Sequence, residues 1–99
     1  MIVLDEGAGT VTIAERTLEQ LVVTAAESVD GARVRRALRR RLEIGVDSGR
    51  ARVELGLAVR FGRVIPDTVR SVQERVTEAL TAMCGLEVEA VDVAVEEIA

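Results

Sequence analysis

The amino-acid sequence contains no histidine, lysine, tryptophan or tyrosine, and its 99 residues include one phenylalanine, one proline and one cysteine. Because histidine is absent and Cys84 is alone, the chain lacks the usual zinc ligands, a disulfide and the commonest general base at neutral pH. Because Phe61 is the single aromatic residue, stacking against bases or sugars is almost excluded. We therefore expect no catalytic residue, no metal site and no cofactor, and the unpaired cysteine indicates a reducing cytoplasm.

Long hydrophobic runs are absent as well. No apolar segment approaches the roughly eighteen residues of a transmembrane helix, and the first residues lack the basic and apolar regions of a signal peptide. We expect a cytoplasmic protein without a transmembrane segment of its own, whose contact with the inner face of the cell membrane would be peripheral. A chain of 99 residues predicts one domain, residues 1–99, with one core and no deep substrate cleft.

The charged residues are strongly segregated along the chain. The net charge of −4 combines −5 over residues 1–30, +7 over residues 31–70 and −6 over residues 71–99. Such a basic block could contact an acidic protein surface, phosphate or anionic lipid, or remain a solvated strand face. The acidic remainder and the lack of lysine make nucleic acid the less favoured ligand. The candidate interaction residues are the six arginines that lie within nine positions: Arg33, Arg35, Arg36, Arg39, Arg40 and Arg41.

Two segments have the apolar spacing of helices. In residues 15–29 apolar side chains recur at steps of three and four, and Asp30 and Gly31 follow as a stop. Residues 66–83 form the second predicted helix, because Pro66 suits a first turn and Gly85 suits a left-handed stop. The second helix has one apolar stripe, which consists of Val69, Val72, Val76, Leu80 and Met83.

Alternation with a period of two predicts the strands. A short strand over residues 11–13 leads into the first helix, and residues 91–95 form the last strand. Between the helices, residues 38–46 and 53–61 also alternate. Residues 34–42 fit a helix at steps of four as well, but the strand pattern covers a longer run and is the interpretation we favour.

The two central strands are predicted to form a β-hairpin, because the turn-forming residues 47–50 separate them. A two-residue turn would place Glu43 opposite Glu54. A four-residue loop would instead pair Glu43 with Arg52 and Arg41 with Glu54, without turning either apolar set to the other face. We predict the longer loop because it avoids the opposed carboxylates.

The resulting order is β-α-β-β-α-β, which is typical of an α+β domain with two helices packed on a four-stranded, mainly antiparallel sheet in a ferredoxin-like arrangement. Residues 1–8 are left open between a flexible segment and a short extra strand. Cys84 is interpreted as a core residue or inert cap at the end of the second helix. The residues predicted to face the core are Leu21, Val22, Ala25, Val53, Leu55, Leu57, Val72, Val76, Leu80 and Val93.

Taken together, these segments resemble the alkaline shock protein family, the Gls-type envelope stress response proteins of Gram-positive bacteria. Residues 9–14 with the helix that follows are similar to the family's opening strand and helix, and residues 29–32 stand at its first turn. The second half is closer. The blocks that carry the likeness there are Val-Arg-Phe-Gly at 59–62, Val-Gln-Glu-Arg-Val at 72–76, Cys-Gly-Leu-Glu-Val at 84–88 and Val-Asp-Val-Ala-Val at 91–95.

This resemblance spans residues 9–98 and implies a non-enzymatic cytoplasmic protein of cell-envelope homeostasis. It further implies self-association into a homo-oligomer and a small membrane-anchored protein partner, and it carries over no catalytic or cofactor-binding residue. A small nucleic-acid-binding module that uses the basic face of residues 33–41 is the alternative from another functional class.

Overall fold

The computed structural model describes residues 2–5, 10–35 and 42–99. Both predicted helices are confirmed; the first ends two residues early and the second extends one residue further at each end. The predicted strand over residues 38–46 is confirmed from Leu42 onward, and its first part lies outside the described residues. The elements are β1 (Ile2–Asp5), β2 (Thr10–Ile13), α1 (Glu15–Glu27), β3 (Ala32–Val34), β4 (Leu42–Asp47), β5 (Arg50–Val59), α2 (Ile65–Cys84) and β6 (Glu87–Ile98).

β5 is the central strand of a four-stranded sheet. β4 pairs antiparallel with residues 50–55 of β5, and β3 pairs antiparallel with residues 57–59, so β3 and β4 share one edge of the central strand. β6 pairs with β5 along the opposite edge, and this one pair is parallel because α2 carries the chain back along the sheet. The fold is therefore α+β, with two helices on a mainly antiparallel four-stranded sheet.

β2 lies outside this sheet, which corrects the expectation for the first strand. It pairs antiparallel with β1 in a separate two-stranded sheet, in which Ile2 is opposite Ile13. In a ferredoxin-like order the strand before the first helix would lie between β5 and β6, but these two strands are direct neighbours. Because β3 and β4 occupy one edge of β5 and β6 occupies the other, β2 pairs with β1 instead.

The ends of α2 follow the predicted capping residues. Pro66 and Asp67 lie in the first turn, where a missing amide hydrogen costs nothing and a negative charge faces the positive end of the dipole. Gly85 has a φ of +65°, and its N–H donates to the carbonyl of Thr81 at 3.1 Å. Glycine adopts this left-handed conformation without the steric cost of a Cβ, so the chain can turn into β6.

The core lies between the helices and the inner face of the sheet. Seven of the ten predicted core residues are buried, while Leu21, Ala25 and Val93 are half-buried. Met83, in contrast to the prediction, is 73% exposed. Val76 and Leu80 continue by a further step of four to Cys84, which packs against the core instead. The largest side chains of the fully buried set are Leu18, Leu57, Leu80 and Leu86.

The β4–β5 hairpin is confirmed, but the predicted register is wrong. Asp47 is opposite Arg50 and Glu43 is opposite Glu54, which is the pairing of a two-residue turn. Ser48 and Gly49 have φ values of +52° and +76°, the type I′ conformation whose twist matches that of the paired strands. This turn preference outweighs an opposed pair of carboxylates, which costs only about 0.2–1 kcal/mol.

Candidate interaction surface

The predicted arginine face is described only at its start. Arg33 lies on β3 opposite Ala58 and is exposed. Arg35 directly follows β3; its N–H donates to the carbonyl of Gly56, and its Nε lies 3.8 Å from a carboxylate oxygen of Glu97 on β6. Both arginines therefore belong to one end of the domain. The other four candidate residues, Arg36, Arg39, Arg40 and Arg41, lie outside the described residues.

We call this the apical end and define it by the α1–β3 turn, the loop of residues 60–64 and the last residues of β6. Asp30 in the turn accepts hydrogen bonds from two arginines of the loop, Arg60 at 3.0 Å and Arg63. Gly31 has a φ of +85°, and a Cβ there would lie 2.9 Å from Cγ of Arg63. The side chain of Arg63 thus packs across a position that only glycine suits.

Apolar side chains are exposed beside these arginines. Phe61 is 82% exposed, Val64 62% and Ile98 54%, and the N–H of Phe61 donates to the carbonyl of Ala99 at 2.6 Å. Strand alternation in the sequence continues to Phe61, but β5 ends at Val59 and the aromatic side chain lies in the loop. Gly62, the next residue, is the sequence feature from which a turn at this position could have been predicted. Exposed apolar groups of this kind mark interaction sites more often than isolated surface residues do.

At the opposite, basal end, the hairpin turn meets the start of β6. The N–H of Glu87 donates to the carbonyl of Gly49 at 2.9 Å. Arg50 lies 3.7 Å from Glu87 and 3.5 Å from Glu89, and Arg52 lies 3.6 Å from Glu89. Glu87 and Glu89 are therefore paired with arginines of the neighbouring strand.

Three carboxylates on the outer face of the sheet are arranged differently. Glu43 on β4 is opposite Glu54 on β5, and Glu54 is opposite Asp92 on β6, so the three form an acidic row across neighbouring strands. All three are exposed. Within the part of the chain that the structure describes, no residue forms an ion pair or side-chain hydrogen bond with any of them. Like charges placed directly opposite destabilise a sheet.

The apical end offers little for acid–base chemistry. Its carboxylates are engaged: Asp30 by two arginines, Glu97 by Arg35, and Glu27 by the N–H of Val34 at 3.0 Å. The thiol of Cys84 lies near the other end, and burial raises its pKa above the ordinary value, which disfavours the reactive thiolate. Among the described residues, no group of three or more potential ligands could hold a metal ion.

The described helices include none that is long and apolar enough to cross a membrane. α2, the longest of them, has 20 residues and carries charged side chains along its exposed face. Its buried residues form a single stripe against the sheet, which is typical of a helix on the surface of a globular domain.

The same fold occurs in solved structures of the MamM CTD. MamM-CTD 215-293 matches with a TM-score of 0.55 at 19% sequence identity, over 85% of this chain and 99% of that one. A cadmium form of a MamM CTD variant matches with a TM-score of 0.53 at 21% identity, over 83% of this chain and 94% of that one. At these identities the likeness shows the fold alone.

No curated protein matches the sequence. Residues 4–99, however, match the ASP23 (alkaline shock) family, whose function is described as cell envelope-related. The match includes both helices and the whole four-stranded sheet, and it confirms the resemblance found in the sequence blocks. The chain therefore belongs to the alkaline shock protein family.

Proposed function

We propose that this protein is a non-enzymatic scaffold in cell-envelope homeostasis or the envelope stress response. It works in the cytoplasm, at the inner face of the cell membrane, through self-association and a membrane-associated protein partner. The cell envelope-related function of the family supports the setting. The apical end supports the mode of action, because its surface is suited to contact with proteins.

The observation that carries this proposal is the exposure of Phe61 among arginines. Aromatic residues and arginine are enriched in the centres of protein interfaces and in the few residues that dominate binding energy. Phe61, Val64 and Ile98 provide apolar area, while Arg60 and Arg63 are held in place by Asp30. Arginines that are already paired within the domain lose less side-chain freedom when such a surface binds a protein.

Charge segregation supports self-association. The basic block of residues 31–70 carries +7 and the two flanking blocks carry −5 and −6, so one copy can place its arginine face against an acidic face of another. Such a head-to-tail contact is heterologous and either closes into a ring or continues as a filament. Exposed ion pairs contribute only about 0–1 kcal/mol each, so charge orients the copies while apolar contact holds them together.

Sedimentation as a function of salt tests self-association. The parent protein should form concentration-dependent oligomers that loosen as salt is added. The combined variant Arg36→Glu, Arg39→Glu and Arg40→Glu should sediment at lower mass while remaining folded. The matched control Arg16→Glu, Arg70→Glu and Arg75→Glu changes the net charge equally, outside the arginine run, and should assemble like the parent. A parent that stays monomeric at high micromolar concentration and low salt would refute self-association.

Affinity capture from the native cell tests the membrane-associated partner. The parent should retain a small membrane protein, and Phe61→Ser should lose it because the central apolar contact is removed. Met83→Ser is the matched control, since Met83 is a comparably exposed apolar residue outside the apical end. Equal recovery with all three proteins would show that Phe61 does not bind the partner.

Nucleic-acid binding is the rival function, and the arginine run is the feature that favours it. Binding through phosphate contacts weakens steeply with added salt and extends to a mixed pool of RNA or DNA. We expect no saturable binding at physiological salt. Tight binding under those conditions, lost in the triple arginine variant and kept in its charge-matched control, would replace the scaffold function.

A further inference from the structure

The outer edge of β6 is a sheet edge of unusual length. β6 spans Glu87–Ile98, 12 residues, and among the described strands it pairs with β5 only. An edge strand presents unpaired backbone N–H and carbonyl groups that another chain can use, and long edges are normally shortened, covered or twisted away. The length of this edge therefore requires an explanation.

Hydrogen bonds show which backbone groups of β6 point away from β5. Gln73 of α2 donates from Nε2 to the carbonyl of Val91 at 3.0 Å, so the backbone of Val91 faces the outer edge. Backbone direction alternates along a strand, and the bulge in the ladder comes only after Val95. The N–H and carbonyl groups of Val93 and Val95 therefore face outward too, and no described residue outside β6 hydrogen-bonds to them.

The charge of β6 determines what kind of strand can pair there. Its five charged residues are all acidic: Glu87, Glu89, Asp92, Glu96 and Glu97. A second β6 at this edge would bring carboxylates together, which is unfavourable on a sheet. A basic strand would instead supply counter-charges, most usefully to Asp92, which faces Glu54 in the acidic row.

We propose that the outer edge of β6 accepts a strand from a second copy of this chain, and that residues 36–41 supply it. These six residues contain four arginines, and at about 3.3 Å per residue an extended segment of this length is long enough to pair with the outward backbone groups of both Val93 and Val95. Main-chain hydrogen bonds would add to the affinity from apolar contact, and the arginines would set the register, as in other cases of strand addition.

Topology requires that the donor be another copy. Residues 36–41 connect β3 to β4, and both strands lie along one edge of β5, whereas β6 lies along the other. The two described strands that flank the donor segment in the sequence therefore lie across β5 from the acceptor edge. Each copy can donate on one side and accept on the other, which gives the heterologous contact of the proposed self-association, on which this inference rests.

Amide hydrogen exchange of the full chain tests the acceptor edge. Protection of the Val93 and Val95 amides should rise with protein concentration, while Ala94, whose backbone faces β5, should not change. A synthetic peptide of residues 33–42 should produce the same protection in dilute protein. The control peptide with Ala37→Pro and Leu38→Pro keeps every charge but cannot pair as a strand, and it should have no effect.

A variant of the edge separates this inference from self-association in general. Val95→Pro removes an outward N–H without touching the β5 ladder, so it should fold and sediment as a monomer, whereas Val95→Thr keeps the N–H and should assemble. Oligomers that persist in Val95→Pro, or equal effects of the two peptides, would overturn strand addition and leave self-association intact. A monomeric parent would overturn both.

Discussion

The acidic row provides a direct test of the hairpin register. Glu54 lies between Glu43 and Asp92, with one carboxylate directly opposite on each side. Glu54→Gln keeps the size and hydrogen-bonding capacity of the side chain and removes its charge. We therefore expect this substitution to stabilise the fold, although most single substitutions destabilise proteins.

The size of the effect follows from the two relieved contacts. Each opposed like-charge pair costs about 0.2–1 kcal/mol, so the free energy of unfolding should rise by about 0.4–2 kcal/mol. In a domain of about 100 residues, 1 kcal/mol corresponds to a shift in Tm of about 4–8 °C. The gain should shrink with added salt because the three side chains are exposed and their repulsion is screened.

Chemical and thermal unfolding at low salt measure this difference, at a protein concentration too low for self-association. Glu89→Gln is the matched control, because Glu89 lies on the same strand as Asp92 but within 3.6 Å of both Arg50 and Arg52. It should gain nothing or lose slightly. If Glu54→Gln brings no gain at low salt, or if the control gains as much, the carboxylates do not oppose one another and the two-residue turn is wrong.

Three further predictions concern stability and the thiol. Leu55→Ala should lower the free energy of unfolding by about 2–5 kcal/mol, because Leu55 is 4% exposed; a loss well below that range in denaturant titration would contradict its place in the core. Gly31→Ala should cost about 1 kcal/mol or more through its positive φ and the contact with Arg63, whereas Gly45→Ala, with open space and no positive φ, should not destabilise. The raised pKa of Cys84 means that the native state holds the thiol proton more tightly than the unfolded state. Stability should therefore fall as pH rises above the ordinary thiol pKa, and alkylation at neutral pH should be slower in native than in denatured protein; a Cys84→Ser variant with the same alkaline loss would exclude the thiol as its cause.

The helices could be predicted well because their signals are local. Pro66 and Gly85 act through their own backbone conformation, and the apolar stripe of α2 depends only on spacing within one segment. The hairpin was predictable for the same reason, since turn residues separate two alternating runs. Membership of the family was likewise readable from short blocks, because these blocks encode turns and helix faces that the fold requires.

The register and the strand partners could not be predicted in this way, because they depend on competition between segments. For the hairpin, the sequence argument weighed the charges of Glu43 and Glu54 but not the twist of a turn with positive φ at Ser48. For β2, alternation identified a strand but not its partner. β2 pairs with β1 because β6, which follows α2, occupies the remaining edge of β5.

The proposed contact at the apical end combines the apolar side chain of Phe61 with the charge of neighbouring arginines. Burial of a phenylalanine side chain contributes about 1.5–3 kcal/mol, whereas an exposed ion pair contributes about 0–1 kcal/mol. Arg60 and Arg63 share the single negative charge of Asp30, so the three side chains together keep one net positive charge. In the proposed contact, this charge and the arginines that precede β4 in the sequence attract the partner, and Phe61 with its apolar neighbours supplies most of the affinity. Among the described residues the buried core cluster is aliphatic, so the single aromatic residue of the chain is available for the proposed contact.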